Sequence, residues 1–201
     1  MPNFDFYFAA VSPWVYLGNA GLIDLLERHD AEIRLHAVDL GQLGEHGFLA
    51  LAQRPKARQN YRLLELKRWS DRLKQPLHLH PRHFPVAAAT AGHMVLAAQA
   101  RHSGRRALVL LGQIGRAVWA DELDVSDPEV LVKLADGCGF EGRALLEAAP
   151  DMAAAALEST EQARGLGVFG VPWYVVDGEA FWGQDRLDFV DRALSRQHSV
   201  R

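Results

Sequence analysis

Residues 167–189, GVFGVPWYVVDGEAFWGQDRLDF, decide the fold. Val168 to Val176 is apolar and rich in valine and aromatic residues, which predicts a buried strand. Asp177-Gly178 is a tight-turn pair, so Glu179 to Trp182 returns as the partner strand of a hairpin. Gly183-Gln184-Asp185 then opens an amphipathic helix in which Leu187, Val190 and Leu194 share a face, with Phe189 beside it. Pro172 cannot donate to a ladder, which puts it at a strand start or in a loop. Trans is the commoner state of such a Val-Pro bond, but its place just before a strand makes it a candidate cis peptide.

The other end of the chain supplies a complementary unit. Phe4, Phe6 and Phe8 alternate with Asp5 and Tyr7, so Phe4 to Ala9 is a strand. Ser12-Pro13 is a helix start, serine capping and proline at the first helical position. Trp14 to His29 follows as a helix, and Ile33 to Leu40 as a second strand. A strand, helix and strand with a short return imply a right-handed parallel crossover. Between the two ends lies a mostly helical stretch. Gly41 to Gly47 reads as a glycine-punctuated loop, Phe48 to Arg54 as a short helix and Ala57 to Leu73 as a basic amphipathic helix. Leu77 to Phe84 is an extended linker. Helices are predicted at Ala87–His102, Arg105–Leu123, from Ser126-Asp127-Pro128-Glu129 to Gly137, at Glu141–Ala149 and at Asp151–Arg164.

The resulting class is α/β with a thioredoxin-like plan. Residues 1–40 and 168–198 form a split thioredoxin-like domain, and residues 41–167 an inserted helical domain. The chain of 201 residues suits this size. Its net charge of −3, with both signs interspersed, gives no electrostatic case for nucleic acid or an anionic membrane. No apolar run approaches the roughly 20 residues of a membrane span. The first residues, MPNFDFYF, read as a strand and not as a secretory leader, so a cytoplasmic protein is expected. Cys138 is the only cysteine, which excludes an intrachain disulfide and dithiol chemistry within one chain.

Gly-Val-Pro, then strand, turn, strand and Trp-Gly-Gln-Asp-Arg (residues 182–186), together with Ser12-Pro13-Trp14, resemble the 2-hydroxychromene-2-carboxylate isomerases. These are glutathione-dependent relatives of DsbA and of kappa-class glutathione transferases. The resemblance implies a four-stranded mixed sheet of order 2-1-3-4, a cis Val171-Pro172 bond, glutathione as cofactor, a small aromatic carboxylate as substrate, and a homodimer. It is close over residues 4–40 and 165–195 and loose across the insert. After Phe84-Pro85-Val86 the family usually has Asn, where this chain has Ala87, Ala88, Ala89 and then His93, so the second substrate is the less constrained part of the reading.

Residue by residue, chemistry and plain structure compete. Ser12 sits at a helix N-terminus, where exposed N–H groups and the dipole favour an anion; by spacing alone the plain cap is the better reading. The resemblance implies that its hydroxyl activates the glutathione thiol. The backbone of Val171, next to Pro172, is placed to pair with a peptide-like ligand, or the proline merely shapes a turn. Trp182, Gly183, Gln184 and Asp185 offer close backbone approach and helix-start donors, or a cap and a core indole; the resemblance implies the γ-glutamyl end of glutathione here. Gln53, Arg54 and Lys56 open a basic helix that suits an anionic substrate or simply faces water. His78 and His80 share a face of an extended segment, so a metal is conceivable, but no carboxylate or cysteine is near in sequence. Cys138 reads as an unreactive thiol. A kappa-like transferase or peroxidase, or a binding module without catalysis, are the rival functions.

Overall fold

The computed structural model describes residues 4–198. Strand β1 (Phe4–Phe8) runs parallel to β2 (Arg34–Ala37), with Asp5 opposite Arg34 and Phe8 opposite Ala37. The crossover between them is helix α1 (Pro13–His29). On its other side β1 pairs antiparallel with β3 (Trp173–Val176), Tyr7 opposite Trp173, and β3 pairs with β4 (Glu179–Trp182). The order is β2-β1-β3-β4, the mixed sheet of a thioredoxin-like fold. The hairpin turns at Asp177 and Gly178, both with positive φ (46° and 88°), as a two-residue turn of this twist requires.

Alternation along β1 divides the interior in two. Phe4, Phe6 and Phe8 enter the main core, shared with Leu17 and Leu22 of α1 and with helices α3 (Ala89–Arg101) and α4 (Gly104–Trp119). Helix α8 (Leu187–His198) closes it with Val190 and Leu194. Tyr7, Trp173 and Val175 enter a smaller core on the opposite face with Leu43 and Val168. Both faces of the central strand are therefore covered, which explains why its apolar residues are not confined to alternate positions. The remaining helices are α2 (Lys56–Leu73), α5 (Pro128–Gly137), α6 (Gly142–Ala148) and α7 (Ala153–Gly165). No helix among the described residues is long and apolar enough to cross a membrane.

Three sequence expectations change. Val168–Val176 is not one strand: only Trp173–Val176 joins the sheet. Gly167 turns the chain at φ 70°, the Val168 N–H donates to the Ala163 carbonyl of α7 (2.9 Å), and Pro172 has no N–H for a ladder. Gly41–Gly47 is not a loop but part of a 3₁₀ helix, Leu40–His46, started by Asp39, whose carboxylate accepts from the Gly41 N–H (2.9 Å). Leu43 is fully buried and draws this turn onto the sheet, so β2 ends at Ala37. The short helix at 48–54 shrinks to one turn, Leu51–Gln53.

Candidate active site

Helix α1 begins at a cap built as the sequence reads. Ser12 is extended (φ −69°, ψ 126°), and its Oγ accepts from the Val15 N–H at 3.4 Å. That is its one side-chain bond among the described residues, and in it the hydroxyl acts as acceptor; its O–H has no protein acceptor. The residue is buried. Ser12 thus holds a free donor at the positive end of a 17-residue helix.

The proline loop lies at the same end of the sheet. Because Tyr7 faces Trp173, Pro172 comes level with the end of β1, from which the chain continues to Ser12. The Val171-Pro172 bond is cis, as is Phe84-Pro85. Among the described residues neither the N–H nor the C=O of Val171 makes a hydrogen bond. The Pro172 carbonyl accepts from the Gly183 N–H (3.0 Å), which ties the loop to the turn after β4. Gly183 has φ 109°, and a Cβ there would lie 2.5 Å from Asp185 Oδ1, so any side chain at this position is strained and displaces the Asp185 carboxylate. Gln184, Asp185 and Arg186 form a 3₁₀ turn leading into α8.

Loop and turn wall one side of a cleft of about 240 Å³, with Val171, Pro172 and residues 182–186 in contact with it. Trp14 of α1 and Glu65 and Trp69 of α2 form the rest. This is slightly below the usual small-molecule range of about 300–1,000 Å³, so a tripeptide would lie partly outside it. Gln184 is only 6% exposed, faces the cleft and makes no side-chain hydrogen bond within the protein. Its carboxamide is therefore open to the cleft, where a ligand or water can reach it, and is not one of the fully buried polar groups left unsatisfied. Ser12 is not itself part of this wall; it stands two residues before Trp14. A larger cavity, about 450 Å³, opens elsewhere, between α1, α4 and the end of α2, away from these groups.

A second feature adjoins Ser12 from the other side. The Trp119 indole donates to the Val11 carbonyl (3.1 Å). Over that indole, at 5.7 Å, and over the Phe84 ring, at 6.0 Å, lies the Arg62 guanidinium. Burial, and then repulsion from Arg54, push the Arg62 pKa down to about 10. No carboxylate pairs with it among the described residues. Arg54 is half-buried, donates from Nε to the Leu49 carbonyl (2.8 Å) and lies over the Phe48 ring. Gln53 and Lys56 are exposed: the Gln53 side chain closes its own turn on the Ala50 N–H, and Lys56 starts α2.

Of the candidates read from sequence, Val171, Pro172 and Trp182–Asp185 therefore share one cleft, Ser12 lies at the same end of the sheet two residues before Trp14 of its lining, and Arg54 is grouped with Arg62. Gln53 and Lys56 point away from that grouping, to solvent. Arg62, Glu65 and Trp69 were not singled out. Their signal was the spacing i, i+3, i+7 on α2, which puts an arginine, a glutamate and a tryptophan on the inner stripe beside Leu66, its one fully buried residue. Among the described residues no group of three His, Cys, Asp or Glu side chains is gathered as a metal would require. Cys138 is half-buried, and burial raises its pKa.

Fold and site together define a thioredoxin-type domain without the redox cysteines, and a family model described as the DSBA-like thioredoxin domain matches residues 3–195. The chain is 30% identical over 196 residues to the 2-hydroxychromene-2-carboxylate isomerase of Sphingobium xenophagum, covering 94% of this chain and 96% of that one. To the enzyme of the same name from Pseudomonas putida it is 27% identical over 196 residues, 96% and 94% covered. Its fold matches a solved 2-hydroxychromene-2-carboxylate isomerase structure with a TM-score of 0.79, at 24% identity and 96% and 95% coverage. The chain belongs to the 2-hydroxychromene-2-carboxylate isomerase family, a family of isomerases within the DsbA-like thioredoxins.

Proposed function

We propose that the protein is a glutathione-dependent cis–trans isomerase converting 2-hydroxychromene-2-carboxylate, or a close analogue, to trans-o-hydroxybenzylidenepyruvate, as a cytoplasmic homodimer in aromatic-compound catabolism. The observation that carries the reading is the unused Ser12 O–H at the α1 N-terminus, at the same sheet end as the unpaired Val171 backbone. These groups fit a cysteinyl peptide: a strand-like backbone segment pairs with Val171, and its sulfur falls to the donor end of a helix. The unpartnered Gln184 carboxamide adds a polar contact farther along the same cleft.

When bound, glutathione would supply a thiolate that adds to the conjugated double bond of the ring-opened substrate, leaving a single bond that can rotate, and is then expelled as the double bond re-forms trans. Ser12 donates to the sulfur and, with the α1 dipole, favours its ionised form. Val171 and the Gly183–Asp185 turn hold the tripeptide in register. Arg62, partly buried over the Phe84 and Trp119 rings and without a carboxylate partner among the described residues, takes the substrate carboxylate, with Arg54 behind it. The tilted Phe84 and Trp119 rings, with centroids 4.6 Å apart, bound the aromatic part. The cosubstrate is regenerated, so no redox partner is needed. Ser12→Ala is expected to lower turnover about 10²-fold, comparable to losing one donor of an oxyanion hole. The reading fails if that variant keeps full activity, or if isomerisation proceeds with no thiol present.

A further inference from the structure

The cleft contains more than a peptide-binding edge requires. Three of the chain's five tryptophans, Trp14, Trp69 and Trp182, line it. Indole faces attract cations. Two carboxylates also line it, but they are not equivalent. Asp185 is held by the adjacent Arg186, 2.6 Å away, and Arg186 faces the same cleft, so this pair brings no net charge. Glu65 comes from α2 on the opposite wall. Its partner is Arg68 (2.6 Å), which lies outside the cleft and is 63% exposed, whereas the Glu65 side chain is only 25% exposed. The Arg68 hydrogen bond holds its carboxyl below the usual glutamate range, so Glu65 is an anion at neutral pH. Seen from the cavity, the wall carries one carboxylate among indoles whose cationic partner, Arg68, stands outside the cleft, beside the Gln184 side chain.

We propose that Glu65 is a specificity-determining residue that recognises the free α-ammonium group of the γ-glutamyl residue, with Trp69 beside it, from the α2 side of the cleft. This deepens the glutathione reading and rests on it. It assigns the choice of an α-amino-acid terminus to the inserted helix, in addition to the turn at Gly183–Asp185. Gln184 serves the neighbouring polar atoms of the same terminus. A ligand with the same peptide and thiol but no α-amino group keeps its pairing to Val171 and loses the Glu65 contact.

Calorimetry of glutathione and of its des-amino analogue, glutaryl-cysteinyl-glycine, tests this on the full chain. The wild type is expected to bind glutathione about tenfold more tightly than the analogue, the worth of one charge-assisted hydrogen bond. Glu65→Gln should erase that difference by weakening glutathione alone. Arg68→Gln, which frees Glu65 from its outer partner, should leave glutathione bound as tightly or more so. The proposal is overturned if Glu65→Gln weakens both ligands equally, if it weakens neither, or if Arg68→Gln is as harmful as Glu65→Gln, since the pair would then act only as a helix brace. Equal binding of the two peptides by the wild type removes the Glu65 role and leaves the glutathione site standing. Binding of neither removes both.

Discussion

The two walls of the site are built by different means. On the sheet side, recognition rests on main-chain groups fixed by β1–β3 pairing, the Pro172 loop and its bond to Gly183. On the α2 side it rests on long side chains, Arg62, Glu65 and Trp69, carried by a helix that fully buries only Leu66. Backbone groups cannot be changed by substitution without changing the fold, so they suit a constant ligand. Side chains on a lightly anchored helix can be exchanged one at a time, so Arg62 suits the variable ligand, while Glu65 and Trp69 are proposed to reach the constant one.

Breaking the sheet wall should cost most. Gly183→Ala puts a Cβ 2.5 Å from Asp185 Oδ1 at a φ of 109°, and the turn must shift. Glutathione affinity by calorimetry should fall about 100-fold, with a stability loss on the order of 1–3 kcal/mol by denaturant titration. Breaking the α2 wall should be selective. Arg62→Ala should raise KM for the carboxylate substrate about 10–30-fold and leave glutathione affinity unchanged, because a charge-assisted bond is lost on one side only. A matched loss of glutathione binding would show that the walls are not independent. Arg54→Ala removes a guanidinium already engaged with the Leu49 carbonyl, so an increase in KM of about threefold is expected.

The smallest effect concerns the frame behind the sheet wall. Burial would raise the Asp5 pKa, but hydrogen bonds from His36 (2.9 Å) and Arg34 (2.9 Å) outweigh it and hold the carboxyl below the ordinary value of 3.8. A depressed folded-state pKa contributes stability above the unfolded value and loses it as pH falls through the folded one. Asp5→Asn should therefore cost roughly 1 kcal/mol at neutral pH, where wild type gains from the charge. That difference should shrink below about pH 4 in thermal melts. A pH-independent difference would mean that Asp5 acts by packing alone.

Local rules made much of the sheet wall legible. Ser12-Pro13 and Asp177-Gly178 are short-range signals, each fixing φ/ψ by its own chemistry, and both appear where they were read. The strand through Val168–Pro172 was misread because apolar content does not distinguish a strand from a loop tucked under one. Val168 is fully buried without joining the ladder, through its bond to α7. The α2 wall was hidden for another reason. Arg62 matters because Phe84 and Trp119, 22 and 57 positions further on, come under its guanidinium, a tertiary event with no local trace. The basic residues nearer the helix start, Gln53-Arg54-Pro55-Lys56, drew the reading to a turn that mostly faces water.

Arg62 also bears on the protein without its substrate. Its guanidinium is partly withdrawn from water over two rings and meets no carboxylate among the described residues, so it loses hydration without gaining an ion pair. A small aromatic acid that supplies the missing anion relieves that penalty and binds only the folded form, so occupancy and thermal resistance rise together. Under the proposed function the substrate would be a folding ligand as well as a reactant, and the melting curve a screen for the aromatic acids that bind.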